Sequence, residues 1–335
     1  MDRMLRLFIA PVLVSLVAFA AVFFWGGFAA LSLVFFLTLL EVSLSFDNAV
    51  VNAKVLTKMD EVWRRRFLTW GMLVAVFGTR LILPVLVVAI AAGVSPFTLT
   101  FMLFADPEGY SRLIESVSTV IHAFGGAFLM MVALRYFFDD AKNTHWIHFI
   151  EKRLTTWGRV QAIEVLITLI ALLLTAWVVP AHAASILAAG AIGIILFILM
   201  EGVVHVLGSS SGSLSKAGAG LFLYLNLLDA AFSLDGVIGA FALTTNILII
   251  IAGLGIGAYF VRTFTIYFVQ KRTLATLIYL EHGAYWAIAA LALCMFINIG
   301  THLPEALVGT ISVLFIGASY FASLREQKLR SANNL

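Results

Sequence analysis

Apolar residues fill this chain in long runs, each closed by a short polar stretch. A helix that crosses a bilayer needs about 20 mostly apolar residues. That rule predicts helices at 7–25, 28–55, 67–92, 112–136, 161–180, 184–206, 218–243, 246–269, 274–299 and 304–323. The expected fold class is all-α, a polytopic membrane protein of about ten transmembrane helices, with residues 1–335 as a single integral membrane domain. The first run, though preceded by arginines, lacks a small-residue cleavage site and passes through Trp25-Gly26-Gly27 into more apolar sequence. It is expected to be a retained helix rather than a signal peptide.

The polar punctuation adds an orientation, because cytoplasmic loops collect Lys and Arg. Arg3 and Arg6 precede the first run, and Lys58, Arg64, Arg65 and Arg66 fill 56–66. Lys142, Lys152, Arg153 and Arg159 lie in 137–160, followed by Lys216, by Lys271 and Arg272, and by Arg325, Lys328 and Arg330 in the tail. The alternate segments 26–27, 181–183 and 244–245 carry no basic residue, and the long loop 94–111 carries only Asp106 and Glu108. Ten spans with both termini cytoplasmic satisfy every segment, and 137–160 becomes a cytoplasmic loop. The expected location is the plasma (inner) membrane.

Composition agrees with this class. Hydrophobic residues make up 62% and charged residues 12%, against roughly 25% charged in soluble domains. A lone Cys294 excludes a disulfide framework and any CxxC site. The net charge of +3 is scattered over separate loops, so the expected partner is the lipid bilayer and not nucleic acid. No Ser-His-Asp, HExxH or Cys-His arrangement suggests an enzyme. Gly208 to Lys216 has the look of a phosphate loop but lacks its Gly-Lys-Ser/Thr ending.

One acidic pattern is written twice inside the apolar runs. Glu41-Val-Ser-Leu-Ser45-Phe-Asp47-Asn48 lies in the second run and Asp229-Ala-Ala-Phe-Ser233-Leu-Asp235-Gly236 in the seventh. A carboxylate at the bilayer centre costs about 2.5–3.5 kcal/mol on insertion scales, so matched acids there ask for a functional reason. Five spans apart, the two copies cross the membrane in opposite directions. The expectation is an inverted repeat, with one half at about 28–136 and the other at about 218–299, sharing a site near the midplane.

Glu41, Ser45 and Asn48 share a helix face, and Asp47 lies about 120° away at 100° per residue. The same offset separates Asp229 from Asp235, so a local break near Ser45 and near Ser233 would let each copy gather its acids. Carboxylate, hydroxyl and amide oxygens suit Mn²⁺, Ca²⁺ or Mg²⁺ as a transported metal ion. Protons, replacing the cation on the carboxylates, are the expected coupling ion. The alternative is that the acids pair with Arg80 and Arg262 as buried glue. Those arginines can equally be counter-charges to an empty site or interfacial snorkels. Glu115 with His122, and Glu281 with His282, are candidate outer ligands or proton-path residues, or else ordinary packing and surface groups. Glycines 253, 255 and 257 are expected to allow close helix contact.

At the two acidic motifs the chain resembles the TerC family, named for tellurium resistance, within the LysE-like transporter superfamily. The run Asp229 to Asn246 carries the more specific part of the likeness. The resemblance implies an integral membrane transporter, with Mn²⁺ efflux the leading role. It carries over Glu41, Asp47, Asn48, Asp229 and Asp235 as metal-site residues, with Ser45 and Ser233 beside them. Gly236 departs from the pattern, where relatives often have serine. The expected function is proton-coupled export of a divalent cation. The alternatives are a non-transporting metal sensor or assembly component, and an intramembrane aspartyl protease.

Overall fold

A computed structural model describes residues 6–73, 78, 82–139, 142, 144–209, 214–271 and 273–333. All regular structure among them is helical. The order is α1 Arg6–Leu44, α2 Phe46–Leu56, α3 Glu61–Leu73, α4 Leu83–Ala92, α5 Pro96–Ala105, α6 Pro107–Phe137 and α7 His148–Trp157. Then follow α8 Ile163–Val178, α9 Ala183–Ser209, α10 Leu214–Leu243, α11 Ile247–Lys271, α12 Thr273–Thr276, α13 Leu280–Asn298 and α14 Glu305–Asn333. Seven of these, among the described residues, are long and apolar enough to cross a membrane, or eight if the bent pair α4–α5 is one span. Large apolar side chains such as Phe24, Ile90, Phe97 and Trp177 are more than three-quarters exposed. That outward apolar surface belongs in lipid, and the protein is a multi-pass membrane protein.

The long α1 contains the first predicted run and the second as far as Leu44, the rest of the second lying in α2. Gly27, with φ 68° and ψ −164°, occupies backbone space open essentially to glycine alone. In a straight helix, sixteen residues would span about 24 Å, yet the Phe19 and Phe35 ring centroids are 6.3 Å apart. Phe8 and Phe46 both reach the ring of Phe264. The chain therefore folds back at Gly27, and the two runs lie side by side as antiparallel helices.

Two other expectations change. The run predicted at 67–92 carries α3 and α4 at its two ends, and its middle, 74–77 and 79–81, lies outside the described residues. The expected loop 94–111 is largely helix: Gly93 takes the left-handed conformation, Pro96 opens α5, and the chain turns by 114° between α4 and α5. Asp106 then caps α6 by accepting the Gly109 N–H at 2.9 Å. The run predicted at 161–180 gives only the 16-residue α8.

Two apolar cores meet around α6. One joins α6 to α2, α9 and α13 through residues such as Phe128, Met131, Ile288 and Met295. The other joins it to α1, α4, α5, α10 and α11 through Val34, Leu103, Tyr110 and Leu254. Gly253 lies against Leu37 and Gly257 against Glu41, where an added Cβ would stand 2.5 Å from each partner's side chain. Thr38 bridges the same seam by donating to the Gly253 carbonyl at 3.2 Å. Two of the three expected contact glycines thus bring α11 onto α1.

Candidate functional site

The first acidic motif sits where the helix is interrupted. Ser45 leaves helical geometry at φ −106°, ψ 9°, between α1 and α2. Its hydroxyl donates to Glu41 Oε1 at 2.8 Å, one turn back. The new helix opens with Asn48 N–H donating to Asp47 Oδ1 at 2.8 Å. A short acid thus satisfies one of the donors that a helix start leaves open. The second motif behaves differently. α10 runs without interruption through Ser233, Asp235 and Gly236, so the expected break near Ser233 is absent. This stretch of α10 is buried and touches α1, α2 and α6, where a lost backbone bond finds no water to replace it.

The two motifs meet. Asn48 Nδ2 donates to Asp229 Oδ1 at 2.6 Å. A Cβ built on Gly236 would lie 3.3 Å from Glu41 Oε2, so the Glu41 carboxylate faces the bare backbone of α10. Glu41, Ser45, Asp47, Asn48, Asp229, Ser233 and Asp235 are all buried, Asp47 completely. Several of their polar atoms have no hydrogen-bond partner: Asp47 Oδ2, Asn48 Oδ1, Ser233 Oγ and both Asp235 oxygens. Each such buried atom costs on the order of 1–3 kcal/mol, a standing expense that a ligand would relieve. No three His, Cys, Asp or Glu side chains among the described residues gather closely enough to hold a metal ion.

The outer candidates separate into three places. His122, buried on α6, points Nε2 at Asp235 Oδ1 from 3.5 Å without forming a hydrogen bond. Glu115, on the same helix, is exposed and lines a cavity with His122. Arg262 is buried, ruling out an interfacial snorkel, and bonds the Phe67 carbonyl at 3.2 Å through Nη1, while Nε and Nη2 have no partner. It neutralises none of the four acids. Arg80 lies outside the described residues.

Glu281 and His282 belong to a different cluster. Glu281 pairs with Lys54 at 2.7 Å, two helical turns beyond Asp47. His282 Nδ1 lies 2.7 Å from Glu151 Oε2. The segment 137–160, expected as a plain loop, forms α7 and buries Glu151 fully. Glu151 also accepts from Trp286 Nε1 at 3.0 Å, from Lys142 at 3.3 Å and from the Trp146 N–H at 3.1 Å. Burial alone would raise its carboxyl, but the His282 bond and charge, with Lys142, hold it down at about 2. Burial pushes the Lys142 ammonium the other way, below its usual range.

Three polar residues escaped sequence reasoning. Asn52, one turn after Asn48, is buried with Oδ1 unpartnered. Glu151 looked like one more charge in a basic loop. Glu305 opens α14 with its carboxyl group against Gly239, where a Cβ would stand 2.6 Å from the carboxyl carbon. A lone acid at the head of an apolar run was the available signal for Glu305.

Searches of curated proteins and of solved structures find no match. A family match covers residues 46–330, taking in Asp47, Asn48, Asp229, Asp235 and Glu305 but starting after Glu41 and Ser45. The chain belongs to that family, described as protein of unknown function DUF475.

Proposed function

We propose that this chain is a TerC-like secondary transporter that exports a divalent metal cation, Mn²⁺ ahead of Ca²⁺ or Mg²⁺, in exchange for protons. The observation that carries this reading is the hydrogen bond from Asn48 to Asp229 at 2.6 Å. It joins two acidic motifs, remote in sequence, inside an apolar helical bundle. Their donors are oxygen atoms, the set that hard divalent ions prefer.

The halves are related by an inverted repeat near 28–136 and 218–299. The packing supports this: α6 lies on α13, while α2 packs on α13 and α10 on α6. Such a pairing sets the site at the seam between halves that rock in the plasma membrane, with both termini cytoplasmic. Ligands divided across a seam gather and part as the halves move, which suits transport better than a closed cage. When the cation leaves, protons take its place on the buried carboxylates, and the exchange couples the two fluxes.

Manganese tolerance of cells expressing the protein tests the reading. Wild-type expression is expected to raise tolerance, and Asp47→Asn or Asp235→Asn to abolish the gain. Equal tolerance in both variants, at equal expression, would overturn it.

A further inference from the structure

A cavity of about 1040 Å³ opens between α1, α6, α10 and α14. Its rim is apolar, with Phe36, Leu39 and Leu314 exposed on it, but its wall carries Ser43, Glu115, His122, Asn298, His302 and Glu305. Two of these groups are unsatisfied. His122 is 5% exposed and neither ring nitrogen has a hydrogen-bond partner. Glu305 Oε2 is buried without a partner as well.

The cavity adjoins the acidic motifs through a single helix. Along α10, Asp235 faces His122 at 3.5 Å. The next residue, Gly236, faces the Glu41 carboxylate, and three residues further on Gly239 faces the Glu305 carboxyl group. Three residues of helix amount to about 4.5 Å of rise. The two glycines therefore leave adjacent gaps on α10, one filled by an acid of the buried site and one by an acid of the cavity. Asp235, one residue before the first gap and one turn before the second, has both oxygens unpartnered.

We propose that this cavity is the aqueous route to the acidic site from one side of the membrane, and that Glu305 and His122 form its inner mouth, passing a divalent cation to and from Asp235. The proposal rests on the transporter reading and adds to it a path and a residue, Glu305, that neither acidic motif contains. The titratable groups around Glu305 and His122 are Asp235 on α10 and the buried Cys294 thiol on α13, with Glu115 on α6 and His302 just before α14 lining the same cavity. No three of them close around one point. That spacing fits conduction, where each stop must hold an ion weakly enough to release it.

The full chain in proteoliposomes provides the test, with Mn²⁺ flux followed across the neutral pH range. Glu305→Gln is expected to slow flux roughly tenfold or more, the scale on which outer groups of metal sites act, and to flatten its pH dependence, with Glu305→Asp restoring both in part. Gly239→Ala keeps the carboxyl group but pushes it off α10, and is expected to slow flux likewise. Monodisperse purification of each variant separates these effects from misfolding. Wild-type rates and an unchanged pH profile in both Glu305→Gln and Gly239→Ala, with Asp235→Asn inactive, would overturn the route and leave the transporter standing. A wild-type protein that moves no divalent ion would overturn both.

Discussion

The Asn48 side-chain amide donates to Asp229 at 2.6 Å across 181 residues of chain. Both residues are buried, so the bond is made where water cannot substitute for it. Asn48→Ala would leave that Asp229 oxygen without this donor, at a cost of about 1–3 kcal/mol. We expect a lower melting temperature in detergent together with loss of Mn²⁺ flux. Asn48→Asp, which faces one carboxylate with another, is expected to be worse on both measures. A variant of either kind with wild-type melting and flux would show that the two motifs do not cooperate.

Gly257 admits the Glu41 side chain. A Cβ there would lie 2.5 Å from Glu41 Cβ and Cγ and 3.1 Å from the Thr38 carbonyl oxygen. Gly257→Ala therefore overpacks the seam between α1 and α11, with an expected loss of about 1–3 kcal/mol. Thermal unfolding of the purified protein reads the loss, and an unchanged midpoint would contradict the close approach.

Gly27 turns the first two runs into a hairpin. Cysteines placed at Phe19 and Phe35, in a Cys294→Ala background, are expected to join through a short bifunctional thiol reagent. In a straight helix those positions would be about 24 Å apart and would not. Gly27→Val, forced into a conformation that costs of order 1–3 kcal/mol for other residues, is expected to reduce the crosslink.

The Glu151 cluster makes stability depend on pH with a definite sign. Its carboxyl is held at about 2, below the ordinary 4.5. A depressed acid stabilises the fold above its unfolded value and loses that contribution as pH falls toward the folded one. Glu151→Gln should thus be less stable than wild type near neutral pH, and the gap should narrow as pH drops from 4.5 toward 2. Melting curves of both proteins over that range check it. A gap that stays constant in acid would remove His282 and Lys142 as the cause.

How much of this was legible in the sequence follows from which groups speak through side-chain chemistry. That the two acidic motifs share one region was readable, because acids held in matched positions inside apolar runs are too costly to stand apart, but the Asn48 amide as the group that bonds across to Asp229 was not. The turn at Gly27 was readable in the Gly26-Gly27 pair between two apolar runs. Glu305 signalled itself only as a lone acid heading an apolar run; its place against α10 was not readable, since its neighbour Gly239 has no side chain to announce the contact. Glu151 sits beside Lys152 and Arg153 and imitates a solvated loop, although its real partners, His282 and Trp286, are more than 130 residues away. The continuous α10 was misjudged because Ser and Asp weaken helices in water, whereas a buried helix keeps its bonds for want of any alternative.

The central claim is that the acids joined across Asn48 and Asp229 carry a divalent cation through the membrane. Its most direct measurement is Mn²⁺ flux into proteoliposomes of the purified full chain, with and without an opposing pH gradient. The account predicts flux in the wild type that the gradient accelerates, and none in Asp47→Asn or Asp235→Asn. Flux that survives both substitutions, or a wild type that binds Mn²⁺ yet never moves it, would contradict the account.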